Sequence, residues 1–409
     1  MKYSNITGDG AVLKAPHLSK SYVWSQALIL PWYIYAVGIA ATSIVVGLLW
    51  DISWHMTIGR DAFLSPPHIA IYVGGLIAGF GGGYLMIKTT FFATAEEKAR
   101  SVWFWGFRSP LAGLLLVWGA LAMLTSAPFD DWWHNAYGLD VKILSPPHAL
   151  LGLGLAIIQL GSVICLLAFQ NRLEAKRDIH DPIAEKKLAI IRFLYTYCVG
   201  MLIAIVAIVF DQYTAANMMH SSIFYQVSGM IFPIFLVAAS KASGMKWPAT
   251  SATAVYMGVH LLMIWVLPLF PATPKLGPVL TQVDHFFPFR FPLLLIVPAI
   301  AMDLVMRKTN HQNGWLQSLW LALTFFVVFF VTHWFFGIFY FTDYARNSIF
   351  VSGVIPYYSR PDYKYLYEFV PWDKTTGALV YGMVWAFGYT FLSSRLGLWW
   401  GKWMRRVQR

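Results

Sequence analysis

The chain has 409 residues, of which 58% are hydrophobic, 17% are aromatic and 12% are charged. A soluble globular protein has about 25% charged residues, so this composition excludes an ordinary cytosolic enzyme and a disordered protein. The net charge of +11 would favour nucleic-acid binding in a soluble protein. Here the positions of the basic residues explain the charge, and we expect no nucleic-acid partner. The two cysteines, Cys165 and Cys198, lie in apolar runs and cannot build a disulfide framework or a thiolate metal site.

Ten apolar runs follow a polar segment, residues 1–26, that we expect to form an N-terminal tail. A helix needs about 20 apolar residues to cross the hydrocarbon core of a membrane. The runs lie near residues 27–50, 69–87, 103–125, 147–169, 190–210, 223–240, 248–269, 291–306, 315–338 and 375–394. The run at 291–306 is short, and we expect it to be tilted or half-buried. The predicted fold class is an all-α polytopic integral membrane protein with about ten transmembrane helices.

The distribution of basic residues predicts which side of the membrane each loop faces. An even number of spans puts both termini on one side, and most of the 30 Lys and Arg residues lie in the segments on that side. The positive-inside rule makes that side cytoplasmic. We therefore expect a multi-pass protein of the cell inner membrane whose outer loops face the periplasm. These outer loops are 51–68, 126–146, 211–222, 270–290 and 339–374.

Two loops divide the predicted architecture further. The charged cytoplasmic loop 171–189 separates a first half, residues 27–170, from a second bundle, residues 190–409. The long outer loop 339–374 is rich in Tyr, Pro and Phe, which is atypical of disorder. We expect that loop to be a folded lid or a docking surface.

The first two outer loops resemble each other. The first reads WDISWHMTIGRDAFLSPPH and ends at His68, and the second reads FDDWWHNAYGLDVKILSPPH and ends at His148. Both units contain Asp, then His four residues later, then Ser-Pro-Pro-His, each at the outer end of a predicted helix. The matching residues are Asp51 with Asp130, His55 with His134, and His68 with His148. The sequence thus predicts an internal helix–loop–helix repeat in the first half.

The spacing of these residues indicates a metal site. Residues four apart share one face of a helix, as Asp51 and His55 would. A Pro-Pro pair suits the first turn of the next helix, which would aim His68 back at the preceding helix end. Two imidazoles and one carboxylate suit copper, iron or zinc and leave coordination positions open. Such residues can also simply cap helices, but ionisable groups at membrane depth are usually functional, so we predict a metal site in at least one unit.

These motifs resemble a known family. The pattern Asp51-x3-His55-x12-His68 is similar to a copper site in the C subunit of the copper membrane monooxygenases, the particulate methane, ammonia and hydrocarbon monooxygenases. A second copper motif of that subunit, N-x3-H-x13-H, resembles Asp130-x3-His134-x13-His148, with Asp130 in place of the amide. The resemblance covers about residues 27–170, and residues 190–409 match no subunit.

The resemblance implies a function and partners. It implies copper near the outer face, activation of O2, and hydroxylation of a small apolar substrate of the alkane or ammonia class, with quinol as electron donor. It also implies a further membrane subunit, a periplasmic subunit with cupredoxin domains, and a trimer of protomers. Two alternatives remain: a protein that transports or handles copper, and a non-catalytic membrane subunit with a structural metal. Clustering of the ligands at the outer face argues against transport.

Other ionisable residues are candidates for supporting roles. Asp61 and Asp140 lie in the two loops, where they could orient the imidazoles through hydrogen bonds or cap turns. Four further residues of the outer loops are candidate ligands, although we favour hydrogen bonding for them: Asp211, His220, Asp284 and His285. His260 and His333 lie in the middle of predicted spans, where hydrogen bonding within the bundle is the more ordinary role and proton or substrate passage the alternative.

Overall fold

The computed structural model describes residues 29–59, 62–138, 145–175 and 181–408. The predicted tail 1–26 and two predicted supporting residues, Asp61 and Asp140, lie outside these ranges. The first half contains α1 (Trp32–Thr57), α2 (Pro66–Ile87), α3 (Ala95–Ala99), α4 (Leu111–Tyr137) and α5 (Pro146–Ala175). An antiparallel hairpin, β1 (Val102–Phe104) and β2 (Phe107–Ser109), lies between α3 and α4. The second half contains α6 (Pro182–Val209), α7 (Asp211–Thr214), α8 (Ser222–Ala242), α9 (Pro248–Val266), α10 (Ile296–Thr309), α11 (Gly314–Tyr340) and α12 (Thr376–Met404).

The described residues form an all-helical membrane protein, as predicted. Eight helices are long and apolar enough to cross a membrane: α1, α2 with the turn that follows it, α4, α5, α6, α8, α9 and α11. The two remaining predicted spans correspond to α10 and α12, which fall outside this set. α10 has 14 residues, and its length of about 21 Å is shorter than a hydrocarbon core of about 30 Å.

Prolines explain why α10 is short. Pro292 lies in the predicted span at 291–306, and Pro288 lies just before it. Both disfavour a helix there, because proline lacks an amide proton and clashes with the preceding helical turn. The chain instead runs without regular structure up to Leu295, and α10 begins at Ile296. Amides in an extended segment at membrane depth need partners from the surrounding protein. The Leu294 amide, for example, donates to Nε2 of His333 at 3.1 Å.

The predicted cytoplasmic loop 171–189 is mostly helical. α5 continues to Ala175 and α6 begins at Pro182. The side chain of Asp181 accepts hydrogen bonds from the amides of Ile183 and Ala184 at 2.9 and 3.1 Å, so it caps the start of α6. The predicted span at 190–210 is therefore extended by a polar first turn.

α12 packs against α8 along most of its length through glycines. A Cβ atom on Gly382 would collide with Ser222 near the start of α8, and one on Gly401 would lie 2.6 Å from Cβ of Lys241 near its end. Gly397 lies between them, with the carbonyl of Ile234 2.8 Å from its ideal Cβ position. The contacts follow the same order along both helices, so α8 and α12 run parallel. Such close approach is typical of small residues between membrane helices.

Two helix pairs in the first half pack through equivalent glycine contacts. A Cβ atom on Gly74 of α2 would lie 3.0 Å from the carbonyl of Ala40 and 3.1 Å from the amide of Ile44. A Cβ atom on Gly154 of α5 would lie 2.9 Å from the carbonyl of Gly119 and 2.7 Å from the amide nitrogen of Met123. In the alignment of the two loops, each of these residues has the same place in its unit. The pairs α1–α2 and α4–α5 thus pack in the same way.

Candidate metal centres

The first candidate ligands of each unit lie at the outer end of a long helix. Asp51 and His55 belong to the last two turns of α1, and Asp130 and His134 to those of α4. A glycine ends each helix four residues after its histidine. Both glycines, Gly59 and Gly138, have a φ of 85°. Residues with a side chain rarely adopt this backbone conformation, so glycine lets each chain turn away directly after the ligand pair.

The third candidate ligand of each unit lies at the start of the next helix. α2 begins with Pro66 and Pro67, and α5 begins with the equivalent pair. Proline suits the first turn of a helix, where its missing amide proton is not needed. His68 and His148 directly follow these pairs, as the sequence predicted, and lie opposite the preceding helix ends.

The structure brings Asp51, His55 and His68 together as a first triad. Oδ1 of Asp51 lies 3.2 Å from Nε2 of His68, and Oδ2 lies 3.8 Å from Nε2 of His55. One ligand atom from each residue lies within 4.8 Å of the other two. The side chains of Asp51 and His68 are mostly buried, whereas His55 is 45% exposed. This group can therefore surround one ion and leave an accessible side open.

Asp130, His134 and His148 form a second triad of the same kind. Oδ2 of Asp130 lies 3.4 Å from Nε2 of His134, and Oδ1 lies 3.6 Å from Nε2 of His148. Among the described residues, the first triad alone has all three ligand atoms within 4.8 Å of one another. The second triad is thus the looser of the two.

The hydrogen bonds of the imidazoles orient their lone pairs toward the carboxylates. Nδ1 of His68 lies 3.1 Å from the carbonyl of Ala62, and Nδ1 of His134 lies 3.1 Å from the carbonyl of Gly138. A carbonyl only accepts, so Nδ1 carries the proton in each ring and Nε2 of the neutral ring is an acceptor. Metal-ligating histidines commonly donate their other ring N–H in this way.

An imidazole nitrogen therefore lies close to a carboxylate oxygen in both triads. Nε2 of His68 and Oδ1 of Asp51 are 3.2 Å apart, a separation that two ligands of one metal ion can have. Oδ1 of Asp51 is buried and accepts no hydrogen bond within the described part of the chain, and the same holds for Oδ1 of Asp130. A buried carboxylate oxygen without a donor is unfavourable. The donor set and these oxygens both fit a bound metal ion.

The four further candidate ligands have other partners. His220 stacks between Trp334 and Phe369, with ring centroids 3.9 and 3.6 Å apart, and its Nε2 lies 3.0 Å from the carbonyl of Trp334. Burial lowers the pKa of His220, which favours the neutral ring. The structure therefore gives this residue a packing role.

The other three candidate ligands form ion pairs or hydrogen bonds. Asp211 pairs with Arg290 at 3.0 Å. Asp284 and His285 contact each other at 2.9 Å and are exposed. A hydrogen bond and the charge of His285 lower the pKa of Asp284. The hydrogen-bonding interpretation favoured for these loop residues agrees with these contacts.

Sequence reasoning missed the residues that hold the end of α1 in place. Oγ of Ser53 donates to the carbonyl of Phe287 at 2.5 Å, and the amide of Phe287 donates to Oγ1 of Thr57 at 2.7 Å. Ser53 and Thr57 are four residues apart, like the ligands Asp51 and His55 beside them. The spacing could have suggested a second polar face, but its partner lies more than 200 residues away in the chain.

Comparison with known proteins gives no match: no family model, no curated protein and no solved structure is significantly similar to the chain. The function is therefore argued from the triads and from the spacing of their residues.

Proposed function

We propose that this chain is a membrane-embedded copper-dependent monooxygenase, or the metal-bearing subunit of one, that uses O2 to hydroxylate a small apolar substrate of the alkane or ammonia class. The observation that carries the proposal is the first triad, in which one ligand atom each of Asp51, His55 and His68 lies within 4.8 Å of the other two, and in which the buried Oδ1 of Asp51 accepts no hydrogen bond among the described residues. The motif spacing, which resembles that of the copper membrane monooxygenases, favours copper over iron or zinc.

Each residue of the first triad would have a defined task. Asp51, His55 and His68 would hold the ion with one oxygen and two nitrogens, and the bond from His68 to Ala62 keeps Nε2 unprotonated and aimed at it. Copper bound there would supply activation of O2, because three protein ligands leave coordination positions open. Asp130, His134 and His148 would hold a second, more weakly organised ion.

The membrane topology is part of the proposal. We infer ten crossings, with α12 as the last and with α10 plus the segment before it as a broken crossing. The glycine contacts support this count, because α12 follows α8 over the depth of a helix that itself qualifies as a span. Ten crossings would place both termini in the cytoplasm and both triads on the periplasmic side of the inner membrane.

The first half is proposed to be a duplicated helix–loop–helix unit. The supporting observations are the equal φ values of Gly59 and Gly138 and the equivalent contacts of Gly74 and Gly154. Gly74 and Gly154 lie outside the two loop sequences that suggested the repeat, so their equivalent contacts extend the similarity beyond that motif.

Partners follow from the family resemblance. The proposed assembly includes a second membrane subunit and a periplasmic cupredoxin-like subunit in a trimer of protomers, with quinol as the source of electrons. A hydroxylation by O2 needs two electrons from a donor, which is the task that the resemblance gives to quinol.

The test is metal analysis combined with electron paramagnetic resonance on the purified, detergent-solubilised full chain. The wild type is compared with His55→Ala, with His134→Ala, and with His285→Ala as a matched control, because His285 is an exposed outer-loop histidine outside both triads. We expect copper in the wild type and in the control, and loss of one copper signal in each triad variant. Unchanged copper in His55→Ala would refute the site, and stoichiometric zinc would favour a structural metal instead.

A further inference from the structure

A cavity of about 370 Å³ lies beside the end of α1, apart from both triads. Its walls come from the irregular segment 287–293, from part of the long outer loop between Val351 and Leu366, from the chain at and after α7, and from Tyr256 and His260 in the middle of α9. Pockets for small molecules typically measure about 300–1,000 Å³. The cavity is therefore large enough for a molecule of moderate size, and the aromatic outer loop covers it.

The charges in the cavity wall cancel. Asp211 and Arg290 are the ionised side chains among the described residues that line it, and Oδ2 of Asp211 lies 3.0 Å from Nη1 of Arg290. Nη1 of Arg290 also donates to the carbonyl of Asp211 at 3.3 Å. The pair leaves the wall of the cavity without a net charge. The wall thus favours an uncharged ligand.

His260 presents a buried acceptor to the cavity. It lines the wall although it is only 2% exposed. Its Nδ1 donates to the carbonyl of Tyr256 at 3.0 Å, so its Nε2 carries the lone pair. Within the described part of the chain, no group donates to that nitrogen. The nitrogen is not among the fully buried unpartnered atoms, so a ligand or water in the cavity can reach it and donate to it.

His333 shows what such a histidine does when its partner is part of the protein. Its Nδ1 donates to the carbonyl of Phe329, four residues earlier in α11, at 3.0 Å. His260 makes the equivalent bond in α9. Its Nε2 accepts the amide of Leu294 at 3.1 Å. His333 does not line the cavity, and both of its nitrogens are satisfied. The contrast singles out Nε2 of His260.

Tyr256 adds a donor one helical turn before His260. Its hydroxyl accepts the amide of Leu293 at 3.0 Å, and it lines the same cavity while being 1% exposed. The hydroxyl proton has no acceptor among the described residues. The wall of the cavity therefore offers one acceptor and one donor close together, surrounded by the apolar rings of Phe287, Phe289 and Phe336.

We propose that this cavity binds an uncharged apolar molecule that carries a hydroxyl group, an alcohol or a phenol. A hydroxyl group is the group that donates to Nε2 of His260 and accepts from the hydroxyl of Tyr256 with one oxygen atom. The aromatic walls contact the apolar remainder of the molecule. The site is separate from both triads, and it does not depend on which metal they hold or on whether they hold one.

The test compares two probes that differ in one proton. Binding of 1-naphthol and of 1-methoxynaphthalene to the purified full chain is measured by isothermal titration calorimetry at constant detergent concentration. We expect 1-naphthol to bind about tenfold more tightly, because the ether cannot donate to His260. Equal affinity of the two probes would overturn the proposal, and this comparison needs no variant.

Variants then locate the site. His260→Phe keeps an aromatic ring of similar size. We expect this change to weaken the binding of 1-naphthol about tenfold and to leave the affinity for 1-methoxynaphthalene unchanged. His285→Ala is the control and should bind both probes like the wild type. Unchanged 1-naphthol affinity in a His260→Phe protein that elutes and absorbs like the wild type would overturn the proposal. Metal content is measured on the same samples, so failure of this site and failure of the metal sites are distinguishable.

Competition distinguishes the two sources of the hydroxyl group. Displacement of 1-naphthol by 1-octanol but not by 4-propylphenol would identify an alkanol site, and the reverse would identify a phenol site. Displacement by neither, at concentrations that saturate the wild-type cavity with 1-naphthol, would overturn the proposal.

Discussion

Ser53 donates its hydroxyl to the carbonyl of Phe287, and this bond joins the end of α1 that carries Asp51 and His55 to the wall of the cavity. Thr57, one turn further on, accepts the amide of the same residue. The two bonds hold an extended backbone segment against a helix, where it would otherwise expose an unpaired amide and carbonyl. The last turns of α1 thus carry metal ligands and a structural clamp within seven residues.

Thr57→Val should destabilise the protein without removing metal. Valine has nearly the shape of threonine but leaves the Phe287 amide unpaired in a buried place, which costs about 1–3 kcal/mol. We expect a lower unfolding temperature in detergent, measured by differential scanning fluorimetry, and unchanged metal content. Loss of metal together with an unchanged unfolding temperature would show that Thr57 acts on the triad rather than on the clamp.

Gly138→Ala should cost about 1–3 kcal/mol of stability, because alanine resists the φ of 85° and ψ of −176° seen there. Among the described residues, no atom beyond the chain neighbours lies within 4 Å of the added Cβ, so we assign the expected loss to backbone strain. Gly59→Ala is expected to lose more stability than Gly138→Ala, because its Cβ would also collide with the ring of Tyr357.

Paired unfolding measurements on the two alanine variants check this order. A Gly59→Ala protein as stable as Gly138→Ala would contradict it. A variant of Gly81, where a Cβ has open space and the helix is regular, serves as the control for replacing glycine with alanine in this protein.

The triads were predictable because their determinants are local. A spacing of four residues, a glycine after each pair, and Pro-Pro before the last histidine together specify a helix end and the next helix start. The cavity was not predictable, because its wall joins α9 to segments near Phe289 and Val354 that only the folded chain brings together. The start of α10 was predicted five residues too early, because hydropathy counted the apolar residues beside Pro292 and ignored the effect of proline on the backbone.

Asp130→Asn should retain copper in the second triad. The change restores the amide found at this place in the resembling family motif and keeps one oxygen as a ligand, where the carboxylate has one oxygen 3.4 Å from His134 and the other 3.6 Å from His148. We expect unchanged copper stoichiometry and a shifted electron paramagnetic resonance signal, because one negative charge is removed from the ligand set. Complete loss of the second copper would show that the site requires the carboxylate itself, and Asp131→Asn is the matched control on the neighbouring carboxylate.

Arg290→Met should make stability depend on pH through Asp211. Burial already raises the pKa of this carboxyl, and Arg290 counteracts the rise. Without the guanidinium the folded-state pKa rises further above the unfolded value of about 3.9, so ionisation opposes folding as pH increases through that value. Because Arg290 is 45% exposed, solvent screening limits the loss at pH 7 to about 1 kcal/mol.

Unfolding temperatures at pH 4 and pH 7 test the sign of this effect. The difference between Arg290→Met and the wild type should be larger at pH 7, where Asp211 must ionise, and smaller at pH 4. Replacing Asp211 by Asn in both proteins removes the titrating group, so Asp211→Asn with Arg290→Met and Asp211→Asn alone should differ by the same amount at both pH values. A single variant whose deficit grows toward pH 4 would mean that the ion pair does not control the titration of Asp211.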